Sequence, residues 1–453
     1  MASFYFGKFF VVSRKEDASA AACSADSGEN GYKRIIGKNR CMAVKRIAKR
    51  GNRAANRNSI DAFVDKKKLE MVEFTEKLIR IPTENPPGNN YFAMVDVLKE
   101  FADASGLETR VHGKPGKPNL VARWDLGLHK TLHLNAHYDV VPASGNWARK
   151  PFEPVVENGK LYGRGSADPK SDIAAILFSV TVMKELDLRP ACNVELSFTC
   201  DEETGGADGM GFLVKEKIVK PDLAIVLDGP VVGITNAHKG ALALKVTVTG
   251  KSCHAAWPHR GKNAFLGACR LALELDALNA SLKKKKSKKN TFADIEKYPT
   301  LVPGGRAEGG VKFNTVPGEF SFTVDRRILP EENAKDARRE IQKKIDEFIA
   351  NNPGYGVNVE TILEVKSDGV STECPIARAL AKSVEAVKGK PAPFYMFPAF
   401  HDMRYLINDA KVDCVNYGTT GGNEHGVDEY VNVDSITDLV KILVRTATDP
   451  MIG

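Results

Sequence analysis

Apolar and polar positions along the chain fall into two rhythms, one at helical spacing and one repeating every second residue. Helical spacing starts near Ser59, a residue suited to capping a helix N-terminus, and predicts a helix to about Ile79. The Pro, Gly and Asn of IPTENPPGNN at 81–90 predict a loop. A helix over Tyr91–Ala104 follows, then strands near 108–113 and 119–124. A short apolar run, Leu132 to Ala136, predicts a strand that ends in His137 and Asp139. A Gly-rich loop then leads to a helix at 172–186. In NVELSFTC (193–200), Val194, Leu196, Phe198 and Cys200 alternate with polar residues as in a half-buried strand. After a helix at about 208–217 comes LAIVL (223–227), apolar throughout as a buried parallel strand is.

The pattern changes near residue 237. ALALKVTVTG (241–250) alternates strictly, and a helix at 263–279 follows. The run KKKKSKK (283–289) reads as a solvated loop. Strands at 311–316 and 319–326, a charged helix at 331–350 and a strand at 356–364 complete a β-α-β-β-α-β order, the ferredoxin-like pattern. Helices at 373–388, 402–408 and 434–447, with strands near 394–398 and 412–416, return to α/β alternation. The predicted fold is therefore α/β: a domain with a mixed, mainly parallel sheet over 59–236 and 366–453, and an inserted ferredoxin-like α+β domain at 237–365.

Composition refines this picture in three places. The net charge of +8 belongs to the N-terminal stretch, where the first 60 residues hold 13 Lys and Arg against 4 Asp and Glu. Residues 1–58 read as a basic, disordered extension, or as preceding a start at Met42 or Met71; no nucleic-acid module accompanies them, which disfavours nucleic acid as a partner. No apolar run reaches transmembrane length, so no membrane span is expected. Eight Cys are scattered without a CxxC pair, which fits a reducing, cytoplasmic setting better than a disulfide framework.

The candidate chemistry lies at strand ends. Three predicted strands deliver His137, the pair Glu202 and Glu203, and Asp228 at their C-terminal ends, the edge where open α/β sheets bind ligands. Asp168 stands in the Gly-rich loop before the helix at 172–186. Histidine and carboxylate are the ligand types of a hydrolytic zinc site. Asp139, two residues after His137, fits a partner that orients a ligating imidazole.

With these pieces placed, the chain resembles the M20 metallopeptidase/deacylase family over roughly residues 65–447. The resemblance rests on HYD (137–139), YGRGSADPK (162–170), DEET (201–204), LDGP (227–230), GKSCHAAWPH (250–259), NTVPG (314–318), DRRILP (325–330) and NEHGVDEYV (423–431), in that order. It implies a zinc-peptidase-like catalytic domain with two divalent metal ions, zinc first and cobalt or manganese as substitutes. His137, Asp168 and Asp228 would hold one ion; Asp168, Glu203 and His425 would hold the other. Glu202 would be the general base, with Asp139 orienting His137. His254 would reach the active site of a partner subunit in a homodimer built through the inserted lid domain. Asn314 and Arg327 would bind substrate carboxylate or the tetrahedral intermediate.

Two departures bear on substrate. FHDMR, with His401 and Arg404 as candidate substrate-binding residues, replaces a Gly/Ser/Thr-Asp-Ala-Arg loop. Asp228 stands where desuccinylases and deacetylases carry Glu. The implied activity is removal of an acyl group from an N-acyl amino acid, with dipeptide cleavage as the alternative. The resemblance also implies a cis bond after the bridging carboxylate, here Asp168–Pro169. The remaining histidines, His112, His129, His133, His238 and His259, read as surface or core residues.

Overall fold

The computed structural model describes residues 57–453, and the stretch read as a basic extension lies outside them but for its last two positions. The expected first helix is two, α1 (Arg57–Lys66) and α2 (Lys68–Ile79), and Ser59 lies inside α1 instead of capping it. The break at Lys67 lets Ile60 and Val64 of α1, and Met71, Phe74, Leu78 and Ile79 of α2, reach one core. Helix α3 (Tyr91–Ala104) has the predicted bounds.

The main sheet is built from β1 (Glu108–Lys114), β2 (Lys117–Trp124), β3 (Thr131–His137), β4 (Asn193–Thr199), β5 (Leu223–Leu227) and β6 (Ile234–His238), joined later in the chain by three more strands, one of them the short Asp368–Gly369. Strands β4, β3 and β5 are adjacent and parallel, while β2 joins β4 antiparallel. One face of this sheet is apolar. Leu132, Leu134 and Ala136 of β3, with Val194, Leu196 and Phe198 of β4, pack on α4 (Ser171–Glu185) and the C-terminal helix in one large core. The short helix α5 (Met210–Lys215) belongs to a smaller cluster that includes Val121, Ala224 and Val226 from the opposite face.

Residues 240–365 form a second sheet with its own apolar core. Its elements are β7 (Gly240–Thr249), α6 (Ala264–Asp276), β8 (Thr300–Gly309), β9 (Glu319–Ile328), α7 (Ala334–Asn351) and β10 (Gly356–Val365), with all pairings antiparallel in the order β8-β9-β7-β10. The order of elements is the one expected, but its second strand is Thr300–Gly309, not 311–316. Pro303, Gly304 and Gly305 disguise that strand as a loop. It tolerates them because it lies at the sheet edge and shifts register between Pro303 and Ala307. From the expected strand only Thr315–Val316 is extended, paired with Cys253–His254.

The chain then returns through α8 (Pro375–Lys388), β11 (Phe394–Phe397), α9 (Met403–Asn408), β12 (Asp413–Tyr417) and α10 (Val433–Ala447). Strand β12 inserts between β5, to which it is parallel, and β6, so every strand end that faces the loops of interest is fixed on both sides. No described helix is long and apolar enough to cross a membrane.

Candidate metal centre

The parallel strands bring their C-terminal ends to one place, and the chain sets a different polar residue at each. His137 ends β3, Glu202 and Glu203 follow β4, and Asp228 follows β5. Asp168 lies in a kinked turn, Ser166–Lys170, where its φ/ψ of −122°/94° depart from helical values. His425 comes from the loop after β12 and holds left-handed backbone at φ 59°.

These side chains converge. The two oxygens of Asp168 face different histidines: Oδ1 is 3.1 Å from His137 Nε2, and Oδ2 is 3.0 Å from His425 Nε2. A second carboxylate flanks each pair, with Asp228 Oδ1 3.7 Å from His137 Nε2 and Glu203 Oε2 3.2 Å from His425 Nε2. Ligands held tetrahedrally about 2.0–2.1 Å from a zinc ion lie about 3.3 Å from one another, so this spacing fits shared coordination. His137, Asp168 and Glu203 offer ligand atoms that all lie within 4.8 Å of each other. Asp168 Oδ1 is buried and has no hydrogen-bond donor, the condition of an acceptor aimed at a cation.

The electrostatics agree. Burial pushes Asp168 up, but the two histidines beside it outweigh burial and hold its carboxyl well below the usual range. Burial and the Asp168 charge raise Glu203 to about 7. Asp168 and Glu203 raise His425 to about 11. The donor set of imidazole and carboxylate therefore attracts positive charge, and it suits a divalent ion such as zinc, cobalt or manganese.

Asp139 holds the frame together from a fully buried position. His137 Nδ1 donates to the Asp139 carbonyl at 2.9 Å, with the carboxylate at 3.4 Å, which leaves Nε2 facing Asp168. The same carboxylate accepts the backbone N–H groups of Glu202 and Glu203, each at 3.2 Å, and the Asn85 amide at 2.8 Å. Glu202 makes no side-chain hydrogen bond or ion pair among the described residues. Burial, with Asp228, Asp402 and Glu203 nearby, raises its carboxyl well above the ordinary value despite His137.

Several residues that shape the centre carried no role in the sequence reading. Buried Glu429 pairs with Arg164 at 2.6 Å and accepts the N–H groups of Gly165, Ala167 and Asp168 at 2.9–3.1 Å, which fixes the turn that aims Asp168. Asp172 accepts from Gly229 and Thr419 at 2.9 and 2.8 Å and ties the loop after Asp228 to α4. Glu429, Arg164 and Asp172 lie in or beside NEHGVDEYV and YGRGSADPK, and that adjacency was the available signal. The Asp168–Pro169 bond is not cis, contrary to expectation. Among the described residues the cis bonds are Asn85–Pro86, Pro86–Pro87 and Gly229–Pro230. The kink at Asp168 and Pro169, held by Glu429, orients the carboxylate instead.

The other expected site residues make no hydrogen bond or ion pair with the side chains of this cluster among the described residues. His254 is exposed, its ring 5.4 Å from Trp257 and its Nδ1 accepting from Ala256 N–H. The backbone carbonyl of Asn314 accepts the Ala255 N–H. Arg327 pairs with Asp325, and its guanidinium lies 5.4 Å from the Phe400 ring. Arg404 lies 5.0 Å from the same ring and donates to Gly205 O and the Tyr405 hydroxyl. His401 is buried, and burial pushes it down to about 3.

The model of the peptidase family M20/M25/M40 matches residues 133–449, and the chain belongs to that family. It is thus a metallohydrolase that cleaves amide bonds. An uncharacterised metallohydrolase of Methanocaldococcus jannaschii is 33% identical over 303 residues, covering 64% of this chain and 70% of that one. A succinyl-diaminopimelate desuccinylase of Roseobacter denitrificans is 27% identical over 393 residues, covering 84% and 98%. Among solved structures, human carnosine dipeptidase 1 shares the fold with a TM-score of 0.70 at 17% identity, covering 87% of this chain and 98% of that one.

Proposed function

We propose that this metallohydrolase removes the acyl group from an N-acyl amino acid. The observation that carries the reading is the Asp168 carboxylate, whose two oxygens each face a different histidine with a further carboxylate beside it. His137, Asp168 and Asp228 would hold one divalent ion and Asp168, Glu203 and His425 a second, zinc first and cobalt or manganese as substitutes. Ions bound there supply a polarised carbonyl and an activated water.

The chain's own residues do the rest. Glu202, adjacent to a ligand but free of the cluster, takes the proton from water and delivers it to the leaving nitrogen as the C–N bond breaks and the new C–O bond forms. Asp139 orients His137 and the Glu202–Glu203 backbone together. His254, exposed in its own chain, would act in the centre of a second copy in a homodimer joined through residues 237–365. Arg327 and Arg404, both near Phe400, would with Asn314 and His401 bind the substrate's carboxylate end, as suits a guanidinium.

The likeness to a succinyl-diaminopimelate desuccinylase along almost its whole length supports deacylation. Asp228, where desuccinylases and deacetylases commonly carry Glu, weakens those two specific assignments and keeps open the second reading, release of a C-terminal amino acid from a dipeptide. Product analysis on N-acetyl and N-succinyl amino acids beside a dipeptide panel tests the choice. Higher kcat/KM on the acylated substrates is expected; turnover of dipeptides alone would replace the first reading with the second.

A further inference from the structure

Strands β3 and β4 run parallel with His133 beside Glu195, Asn135 beside Ser197 and His137 beside Thr199. Alternate strand residues share a face, so these side chains line the polar face of the sheet, opposite the Leu and Phe of the main core. They form an unbroken buried chain of hydrogen bonds. His133 Nδ1 donates to Glu195 at 2.9 Å, and the Ser197 hydroxyl donates to His133 Nε2 at 2.9 Å. Asn135 Nδ2 donates to Ser197 Oγ at 3.0 Å and to Thr199 Oγ1 at 3.1 Å. The Thr199 hydroxyl then donates to Asp402 Oδ2 at 3.3 Å. The order is self-consistent: Asn135 spends both amide hydrogens on the hydroxyls, and each hydroxyl passes its own proton outward. Arg123 closes the far end by donating to Glu195 at 2.6 Å.

At the near end the chain meets the turn that carries Glu202 and Glu203. Gly206 has φ 67°, and a Cβ there would lie 2.2 Å from Asp402 Oδ1 and 3.1 Å from the Tyr405 ring. A Cβ at Gly211 would lie 2.8 Å from the same ring. The Tyr405 hydroxyl donates to Gly205 O at 2.7 Å, and Arg404 donates to both of these oxygens. Gly206 and Gly211 of DEETGGADGMG are thus the places where this segment rests directly on Asp402 and Tyr405.

We propose that Asp402 and Tyr405 are positioning residues that seat the 202–206 turn, and that the polar ladder of β3 and β4 fixes Asp402 in that seat through Thr199. They act on catalysis by setting where Glu202 stands, without touching substrate. The inference rests on Glu202 being the base.

The test uses near-isosteric variants of the full chain. Thr199→Val and Tyr405→Phe each remove one hydroxyl, and kcat should fall about three- to tenfold, the reach of one hydrogen bond, with KM within twofold and metal content unchanged. Thr199→Ser should restore kcat to within twofold of the unaltered chain. Ser197→Ala, one link further back, should lower kcat by less than Thr199→Val does. A Glu202→Gln control separates the two readings. If it keeps more than a tenth of the rate, the base assignment falls and this inference with it. If it is inactive while Thr199→Val and Tyr405→Phe turn over normally, the seat alone is overturned. Losses in KM instead of kcat, or failure of Thr199→Ser to rescue, overturn it as well.

Discussion

The strand ends of the main sheet and the segment 240–365 use polar residues in opposite ways. At the strand ends, seven residues from five separate stretches of sequence meet within one chain, and buried carboxylates aim almost every one of them. In the segment 240–365, His254 stands exposed, and near Asn314 the residues Val311 and Phe313 are 87% and 101% exposed. The first region gathers its residues within a single copy. The second leaves His254 exposed and Asn314 and Arg327 half-buried. The contrast teaches that a residue's place in a motif does not say whether buried partners aim it or solvent surrounds it.

The largest expected effect tests the self-contained half. Glu202→Ala should lower kcat by roughly a hundred- to ten-thousand-fold, with metal content near that of the unaltered chain. Retention of more than a tenth of the rate would remove Glu202 from its role. Next in size is Glu429→Gln. It leaves the guanidinium of Arg164, 1% exposed, without its charge partner. Denaturant unfolding should show a loss of about 3–5 kcal/mol, because an uncompensated buried charge is costly. A loss below about 1 kcal/mol would show that the turn around Asp168 stands without that pair.

Mixing chains tests the outward-facing half. His254→Ala and Glu202→Ala chains, each inactive alone, should recover activity when recombined. Random pairing leaves about a quarter of all sites with both residues intact. No recovery, or a fully active monomer, would confine His254 to its own chain. The smallest effect is the pH dependence of metal binding. Asp168 and Glu203 hold the His425 proton up to about 11 in the metal-free chain, so a metal must displace that proton. Affinity should therefore weaken as pH falls, by up to about tenfold per unit for each proton displaced. Zinc titrations at pH 6 and pH 8 with equal affinity would contradict the placement of His425 among the ligands.

Much of the fold was legible because its rhythms are strong. LAIVL is β5 residue for residue, and Tyr91–Ala104 is α3. The polar cluster was legible because His137, Glu202, Glu203 and Asp228 stand at strand ends, and Asp168 and His425 lie inside motifs of their own. Strand β8 was hidden because an edge strand tolerates the Pro and Gly that otherwise mark a loop. Glu429, Asp172 and Asp402 were hidden for a different reason. A buried carboxylate and a solvated one look alike in sequence, and only the packing of distant segments separates them. The polar face of β3 lay in plain view as His133, Asn135 and His137, but its meaning depended on β4 lying beside it in register. At Asp168–Pro169 the expected cis bond gave way to a backbone kink held by Glu429.

The central claim is that Asp168 is shared between two ions, and counting metal per chain tests it most directly. After equilibration with zinc and removal of the unbound ion, the unaltered chain should hold two ions. Glu203→Ala and His425→Ala should each hold one, and Asp168→Ala should hold close to none. A single ion in the unaltered chain, retained unchanged in Glu203→Ala and His425→Ala, would contradict the account.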